Sequence, residues 1–423
     1  MSATLRMRRW TAAACAAIMA MSLAACAPEA SSGLTLPTQV DAAFSDEAQS
    51  QLQSAVDRAV AASGASGAIV GVWAPWAGTW LKGVGSIEPE GKATSTDTTF
   101  KAGTITRAMT CDVLYGLVKQ GTVALTDSVT EYVPGLPGYE AITLGELCDS
   151  TSGFASYASR LDGRFMANPT RRWSPRELVA YGTGTTGDVQ PGTTFADSDT
   201  GYVLLGLALE HATHRTAADL LDEFVFTPTE MDATALPDPN ASADSAGVEL
   251  AGLWTPNAED GSAACTAPVD VTDLSPSAGY TAAGVVSDLS DLGRYMQSLA
   301  TGARSYDTDA RFENPLPAAG DAPSWFTAKG GVYQAGTLIG QYGSIPGYLT
   351  AAFADRNTGM TVVVVLNDSR ASNVLVRSLA WQLAAIASKL PAASGQTAPE
   401  AGLPWTADEM GAQVTASAVC PVP

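Results

Sequence analysis

Strand-like segments lie near both ends of this 423-residue chain, and the middle of the chain is helical. Two strand patterns occupy residues 68–73 and 79–84, and two more occupy residues 349–354 and 360–366. Between them, apolar residues recur at helical spacing in segments that are bounded by Gly and Pro. A single sheet that uses strands from both ends requires those ends to meet. The chain is therefore predicted to form one α+β domain with a helical subdomain inserted in the middle.

The first 25 residues have the pattern of a secretory leader. Arg6, Arg8 and Arg9 precede an apolar run that is short for a membrane span and that leads to Leu-Ala-Ala followed by Cys26. This ending resembles the bacterial lipoprotein box, in which the leader is cut before the cysteine and the cysteine receives lipid. The resemblance implies a lipid anchor at Cys26, on the outer face of the bacterial cytoplasmic membrane. The alternative is an ordinary signal peptide with an incidental cysteine.

Shifts in composition divide the rest of the chain into three segments. Residues 26–45 are rich in Ala, Ser, Pro and Thr and are predicted to be a membrane tether. Residues 46–390 carry the strand and helix patterns and form the predicted domain. Residues 391–423 are predicted to be a Pro/Ala/Thr-rich tail.

The chain is strongly acidic, with a formal net charge of −20. Removal of the leader takes away three arginines and no acidic residue, so the mature chain is more negative still. A surface of this sign repels nucleic acid and anionic lipid, and no nucleic-acid partner is expected. Solubility is nearly sufficient to explain this acidity.

Four cysteines remain once the leader and Cys26 are set aside. They are Cys111, Cys148, Cys265 and Cys420. An even number of cysteines in an oxidising compartment predicts two disulfides, and their spacing matches no zinc signature. The chain has only two histidines, His211 and His214, which share one helical pattern and are predicted to lie on the surface. No metal or cofactor is predicted.

A series of segments carries a family likeness. "TTFKAGTITRAM" is followed in order by "ITLGELCDSTSGFASY", "PGTTFADSDTGYVLLGLALE" and "GQYGSIPGYLTAAFADRNTGMTVVVVLND". In this order and spacing they resemble the serine β-lactamase and penicillin-binding protein superfamily, especially its D-alanyl-D-alanine carboxypeptidase and class C β-lactamase-like branch. The likeness runs from about residue 47 to residue 385. It implies the β-lactamase/transpeptidase-like fold, with an antiparallel sheet built from both ends of the domain.

The positions that carry chemistry in that superfamily hold other residues here. The family's nucleophilic serine and its lysine correspond to Thr104 and Arg107. The family's Tyr-x-Asn motif, which relays a proton and contacts the substrate, corresponds to Asp197 and Asp199. The Lys/His-x-Gly motif, which holds a substrate carboxylate, corresponds to Gln341 and Gly343. Of these six positions only Gly343 keeps the family's residue.

The replacement of lysine by Arg107 removes the general base. Arginine, with a pKa near ~13.8, is neutral at pH 7 about one time in ten million, which corresponds to roughly 9 kcal/mol. Thr104 keeps a hydroxyl, but its methyl group restricts the rotamer and crowds an acyl group, and the hydroxyl is equally suited to capping a helix. Ser150, Thr151 and Ser152 are predicted to be turn residues. The alternative is that their hydroxyls act as nucleophiles in place of the family's serine.

Two functions follow from these substitutions. Asp197 and Asp199 are predicted to be counter-ions of Arg107 rather than a relocated base. The first hypothesis is then a non-catalytic binding or scaffold protein of the cell envelope, which recognises cell-wall peptide or another envelope protein. The alternative is an active hydrolase of the D,D-carboxypeptidase, β-lactamase or esterase kind, with Thr104 as nucleophile and an aspartate as base.

The resemblance also implies how the cysteines pair. Family geometry packs the "ITLGELC" helix beside the helix that carries Arg107 and Cys111, which predicts a disulfide between Cys111 and Cys148. Cys265 lies in a polar insertion and Cys420 in the predicted tail, and a disulfide between them is predicted because both segments need anchorage.

Overall fold

An eight-stranded antiparallel sheet forms the centre of the structure. The computed structural model describes residues 34–183, 190–241, 247–400 and 402–422, so the predicted leader and Cys26 lie outside the described residues. The strands are β1 (Gly67–Ala74), β2 (Gly78–Gly85), β3 (Phe100–Lys101), β4 (Leu253–Trp254), β5 (Val269–Asp270), β6 (Val286–Ser287), β7 (Leu316–Pro317), β8 (Phe326–Lys329), β9 (Val332–Ala335), β10 (Leu338–Ile345), β11 (Tyr348–Asp355) and β12 (Thr361–Leu366). The large sheet has the order β2-β1-β12-β11-β10-β9-β8-β7, and the remaining strands form two short pairs.

The central strands are apolar on both faces. All six residues of β12 are buried, and its register places Val364 opposite Val70 of β1 and Ala351 of β11. Val363 and Val365 belong to one hydrophobic cluster, whereas Val362 and Val364 belong to the other, because successive side chains of a strand point to opposite faces. Each face is therefore covered by its own layer, which explains why the β12 segment is a run of β-branched residues rather than an alternating pattern.

The helices of the described residues cover these two faces. They are α1 (Asp46–Ser63), α2 (Thr106–Gln120), α3 (Val129–Tyr132), α4 (Leu144–Cys148), α5 (Ala158–Ala167), α6 (Pro175–Thr183), α7 (Asp199–Thr213), α8 (Ala217–Leu221), α9 (Tyr280–Ala283), α10 (Leu289–Ala300), α11 (Thr308–Phe312), α12 (Asn373–Ala387) and α13 (Ala407–Ala416). Helices α1, α12 and α13 pack together beside one face of the sheet. Helices α2 to α11 lie between the first two strands of the sheet and the last six in the chain, so the predicted inserted helical subdomain is confirmed.

Two features differ from the sequence analysis. Strands β3 to β10 are absent from the predicted elements, because β3 to β9 are only two to four residues long and β10 contains two glycines. The segment 391–423 is predicted to be a tail, yet it contains α13, which starts with a capping box formed by Thr406 and Glu409. Trp405 and Val414 of this segment are buried, so most of it is part of the domain.

Both predicted disulfides are present. Cys111 is joined to Cys148, and Cys265 is joined to Cys420. The second bridge ties the end of the described chain to the segment between β4 and β5. No helix among the described residues is long and apolar enough to cross a membrane.

Candidate active site

Thr104 lies in a 3₁₀ turn, Gly103–Ile105, that leads from β3 into α2. Its side chain is buried, and its Oγ1 has no hydrogen-bond partner among the described residues. A Cβ atom built on Gly343 would lie 2.2 Å from that Oγ1, so strand β10 covers the hydroxyl, and any side chain at position 343 would force Thr104 to shift. The helix-capping role considered for Thr104 is wrong. The side chain of Thr106 makes the local contacts instead, donating to Gly103 O (2.8 Å) and accepting from Val285 N (3.2 Å).

Arg107, one turn further along α2, binds both predicted aspartates. Its Nη1 is paired with Asp197 Oδ1 and its Nη2 with Asp199 Oδ1. The guanidinium also lies over the ring of Tyr202, 5.1 Å from the ring centroid. Burial disfavours the charged form of Arg107, but the two carboxylates outweigh this effect and hold the pKa of Arg107 above its ordinary value. The residue is therefore a cation throughout the physiological pH range.

The two aspartates differ in their surroundings. The side chain of Asp199 is 11% exposed, whereas that of Asp197 is 49% exposed. Asp199 is the first residue of α7, after the N-cap residue Ser198, and a carboxylate is favoured in the first turn of a helix. Its second oxygen accepts a hydrogen bond from Ser156 Oγ. The cluster thus contains one buried cation, one buried carboxylate and one carboxylate that faces solvent.

Gln341 does not point at a vacant ligand position. Its Nε2 donates to Gly331 O (3.0 Å) and its Oε1 accepts from Tyr342 N (2.9 Å), and the side chain is buried. Gly331 belongs to the turn between β8 and β9. The position that would hold a substrate carboxylate in the resembling family therefore binds the protein's own backbone.

The neighbouring hydroxyls of residues 150–152 are buried and engaged in the turn after α4. Ser150 Oγ donates to Tyr202 Oη (3.1 Å), and Ser152 Oγ accepts from Phe154 N (3.5 Å). Tyr202 Oη in turn donates to Cys148 O (2.8 Å), and burial raises the pKa of Tyr202 to about 12, so this phenol is neutral at pH 7. These contacts agree with the prediction that the segment is a turn.

Three residues of the site were missed by sequence reasoning. They are Ser156, Tyr202 and Asp149, which contact Asp199, Arg107 and the turn between β8 and β9, respectively. Ser156 and Asp149 lie beside the "STSG" stretch, and Tyr202 follows Asp199 by one turn of α7, so nearness to a recognised motif was the available signal. Elsewhere His211 and His214 are exposed, and the described residues contain no group of three side chains that could hold a metal ion.

The arrangement is an ion-pair cluster rather than a proton-transfer chain. A nucleophilic hydroxyl needs a proton acceptor within hydrogen-bonding reach, and Thr104 Oγ1 contacts none among the described residues. Within this cluster the Ser156 hydroxyl donates to a carboxylate, that of Asp199, and this carboxylate is also bound by Arg107.

Comparison with known proteins gives the lineage of this fold. A model of the family described as Beta-lactamase matches residues 52–386. The chain belongs to the Beta-lactamase family. This Beta-lactamase family member is 27% identical over 153 residues to penicillin-binding protein 4* of Bacillus subtilis, a match that covers 34% of this chain and 32% of that protein. It is 29% identical over 150 residues to the D-alanyl-D-alanine-carboxypeptidase/endopeptidase AmpH of Escherichia coli, covering 34% of this chain and 38% of that one. The matched part is thus about a third of each relative's length.

Solved structures show the same fold over more of the chain. The D-stereospecific amidohydrolase from Streptomyces superposes with a TM-score of 0.64 at 22% identity, covering 76% of this chain and 94% of that one. The octameric penicillin-binding protein homologue from Pyrococcus abyssi superposes with a TM-score of 0.67 at 21% identity, covering 81% and 79%. These likenesses establish the fold of this Beta-lactamase family member.

Proposed function

We propose that this Beta-lactamase family member is an exported, lipid-anchored, non-catalytic binding or scaffold protein of the cell envelope. The observation that carries the proposal is the state of the two central positions. Both terminal nitrogens of Arg107 are paired with Asp197 and Asp199, and the hydroxyl of Thr104 is buried without an acceptor among the described residues. A site of this kind keeps the shape of an acyl-transfer enzyme but lacks its base.

The free-energy cost of using Arg107 as the general base supports the proposal. Using Arg107 as a base at pH 7 costs roughly 9 kcal/mol, out of the ~8–23 kcal/mol by which enzymes lower reaction barriers. The raised pKa of Arg107 increases this cost further. Asp197 and Asp199 do not replace the base, because both bind the guanidinium and neither is hydrogen-bonded to Thr104 Oγ1.

The proposed partners are cell-wall peptide or another envelope protein. The relatives' names support an envelope setting, since they are penicillin-binding proteins and a D-alanyl-D-alanine-carboxypeptidase/endopeptidase. The anchor is proposed at Cys26, with the leader before it. In a bacterial host, Cys26→Ala should move the protein from the membrane fraction to the soluble fraction, and retention of the variant in the membrane fraction would contradict the anchor.

The absence of catalysis is tested by acylation. The domain is incubated with a penicillin and with a chromogenic ester, and turnover and intact mass are followed. We expect no turnover and no penicilloyl adduct. Thr104→Ser should give the same result, because it restores the primary hydroxyl while Arg107 still cannot accept its proton. A penicilloyl mass on a peptide that contains Thr104 of the unmodified protein would refute the proposal.

The second candidate is a hydrolase that uses Thr104 as nucleophile and an aspartate as base, and family membership favours it. It requires a rearrangement that frees one aspartate from Arg107 and brings it to Thr104. Slow ester turnover that is abolished by Thr104→Val but unaffected by Ser156→Ala would establish this candidate.

A further inference from the structure

The turn between β8 and β9 is held by side chains from three separate elements. Gly330 N donates to Asp149 Oδ1 (2.8 Å), at the end of α4. Gly330 O accepts from Arg311 Nε (2.8 Å) of α11, and Gly331 O accepts from Gln341 Nε2 (3.0 Å) of β10. Three of the four backbone polar groups of these two glycines are therefore bound by side chains that are distant in sequence.

One of these side chains clamps the turn to α2. Besides Gly330 O, Arg311 donates to Ala108 O (2.9 Å) and to Asp112 Oδ1 (2.7 Å), both on α2. Arg311 and Asp112 are fully buried. A buried ion pair with good hydrogen bonding is rigid, because each charge needs the other to offset its desolvation. The turn is therefore fixed against the helix that carries Arg107.

The fit between the turn and α2 leaves no space. Gly330 and Gly331 have φ values of +64° and +78°, the left-handed conformation that two-residue hairpin turns require. A Cβ atom built on Gly331 would lie 2.7 Å from Cys111 Sγ and 3.0 Å from Arg107 O. The turn thus covers α2 from Arg107 to Cys111, together with the disulfide to Cys148.

We propose that the Gly330–Gly331 turn is a built-in stopper, which fills the end of the degenerate site beside Arg107, and that Gln341 is its latch. Gln341 occupies the position that binds a ligand carboxylate in the resembling family. Here its side-chain amide donates a hydrogen bond to the carbonyl oxygen of Gly331 instead. This end of the site is then occupied by the chain itself, and a partner of the protein binds outside it. This inference goes beyond the proposed function, since a stopper at this end is compatible with either candidate function.

The buried disulfide provides a reporter for the stopper. The oxidised protein is treated with a water-soluble phosphine, and at intervals the free thiols are alkylated and both disulfides are quantified by peptide mapping. In the unmodified protein we expect Cys265–Cys420 to be reduced first, because Cys265 is partly exposed whereas Cys111 and Cys148 are buried beneath the turn. In Gln341→Leu, loss of the latch should accelerate reduction of Cys111–Cys148 by about tenfold, with Cys265–Cys420 changing less than about twofold.

Gln297→Leu is a matched control. Gln297 Nε2 donates to Gly359 O (2.6 Å) in the turn between β11 and β12, so this variant loses the same kind of buried bond at another turn. Gln297→Leu should not selectively accelerate reduction of the Cys111–Cys148 disulfide. Asp149→Ala removes a second contact of the stopper and should act like Gln341→Leu, whereas Asp149→Asn keeps an acceptor oxygen and should stay close to the unmodified protein.

Hydrogen exchange gives an independent measurement. Backbone amides of residues 326–338 should exchange faster in Gln341→Leu than in Gln297→Leu. Unchanged reduction of Cys111–Cys148 in both stopper variants, or equal acceleration of the two disulfides, would overturn the proposal, because neither result is compatible with a local latch. These outcomes are separate from the acylation test of the proposed function.

Discussion

At the scale of single residues, the permanent positive charge of Arg107 requires anionic side chains around it. A guanidinium buried to 3% exposure cannot shed its proton, so it needs anions, and the positions across the site hold Asp197 and Asp199. Because Asp199 is buried and Asp197 is half exposed, the two ion pairs contribute unequally to stability. Exposed pairs are worth at most about 1 kcal/mol, whereas breaking a buried pair costs several times more.

We therefore expect Arg107→Ala to lower the free energy of unfolding by about 3–5 kcal/mol, mainly because Asp199 is left buried and unpaired. Asp197→Ala should cost less than about 1 kcal/mol. The double variant Arg107→Ala/Asp199→Ala should recover part of the loss. Urea unfolding of the single and double variants measures these terms, and an Arg107→Ala midpoint equal to that of the unmodified protein would show that the cluster is not structural.

Lys101 makes stability depend on pH. This buried residue of β3 donates to Thr272 O (3.0 Å) and Leu274 O (2.9 Å), and burial lowers its pKa to about 7, against the opposing effect of Asp273 and Asp270. Between pH 7 and its unfolded pKa of about 10.4, the unfolded chain binds more protons at this residue than the folded protein does. Its contribution to the free energy of unfolding should therefore rise with pH across this window, by up to about 1.4 kcal/mol per pH unit.

Urea unfolding at pH 7.5, 8.5 and 9.5 tests this dependence. Lys101→Met should flatten the rise, whereas Lys82→Met, at an exposed position of β2, should leave it unchanged. If the free energies of unfolding of the unmodified protein and of Lys101→Met change in parallel with pH, the pH dependence arises from other groups.

At the scale of elements, the β8–β9 hairpin needs glycine in its turn because the turn packs closely against α2. Many glycines in this chain provide left-handed backbone at exposed turns, but Gly331 also needs the absence of a side chain. Gly121, at the C-terminus of α2, needs left-handed backbone but not the absence of a side chain. Its φ is +73°, and a Cβ atom added there would meet no other atom within 4 Å.

Gly121→Ala should lower the free energy of unfolding by about 1–2 kcal/mol, the cost of left-handed backbone for an L-residue. Gly331→Ala should cost about 1–3 kcal/mol more, because its methyl group overlaps Cys111 Sγ and Arg107 O. Equal destabilisation by the two substitutions in urea would mean that the turn can move away from α2 without cost, contrary to a fixed stopper.

At the scale of the whole domain, its first and last elements are joined by the sheet and by the final segment. Helix α13 packs against both α1 and α12, and Trp405 stacks on Trp381 of α12, with ring centroids 4.7 Å apart. The disulfide between Cys265 and Cys420 spans 155 residues, so it restricts the unfolded chain strongly.

Replacing both Cys265 and Cys420 by serine should lower the free energy of unfolding by about 3–5 kcal/mol, chiefly through the greater freedom of the unfolded chain. Non-reducing unfolding experiments on this double variant and on the unmodified protein make the comparison. An unchanged urea midpoint would indicate that packing of α13 alone holds the final segment.

The sequence by itself determined the features that depend on near neighbours or on residue identity. The strands at both ends and the long helices follow from apolar periodicity, and the loss of a general base follows from the chemistry of arginine at position 107. The cysteine count predicted two disulfides, but their pairing and the Arg107 counter-ions came from the order of motifs that resembles a known family.

Only the tertiary structure decided the features that depend on distant partners. Short strands such as β8 and β9 have too few residues for a periodic signal, and they exist because β9 pairs with β10 and β8 pairs with β9. The burial of Thr104 by Gly343, and the contacts of Gly330 and Gly331 with Asp149, Arg311 and Gln341, join residues that are far apart in the chain. Local patterns carry no record of such contacts, because their free energy appears only when the packed elements bring those atoms together.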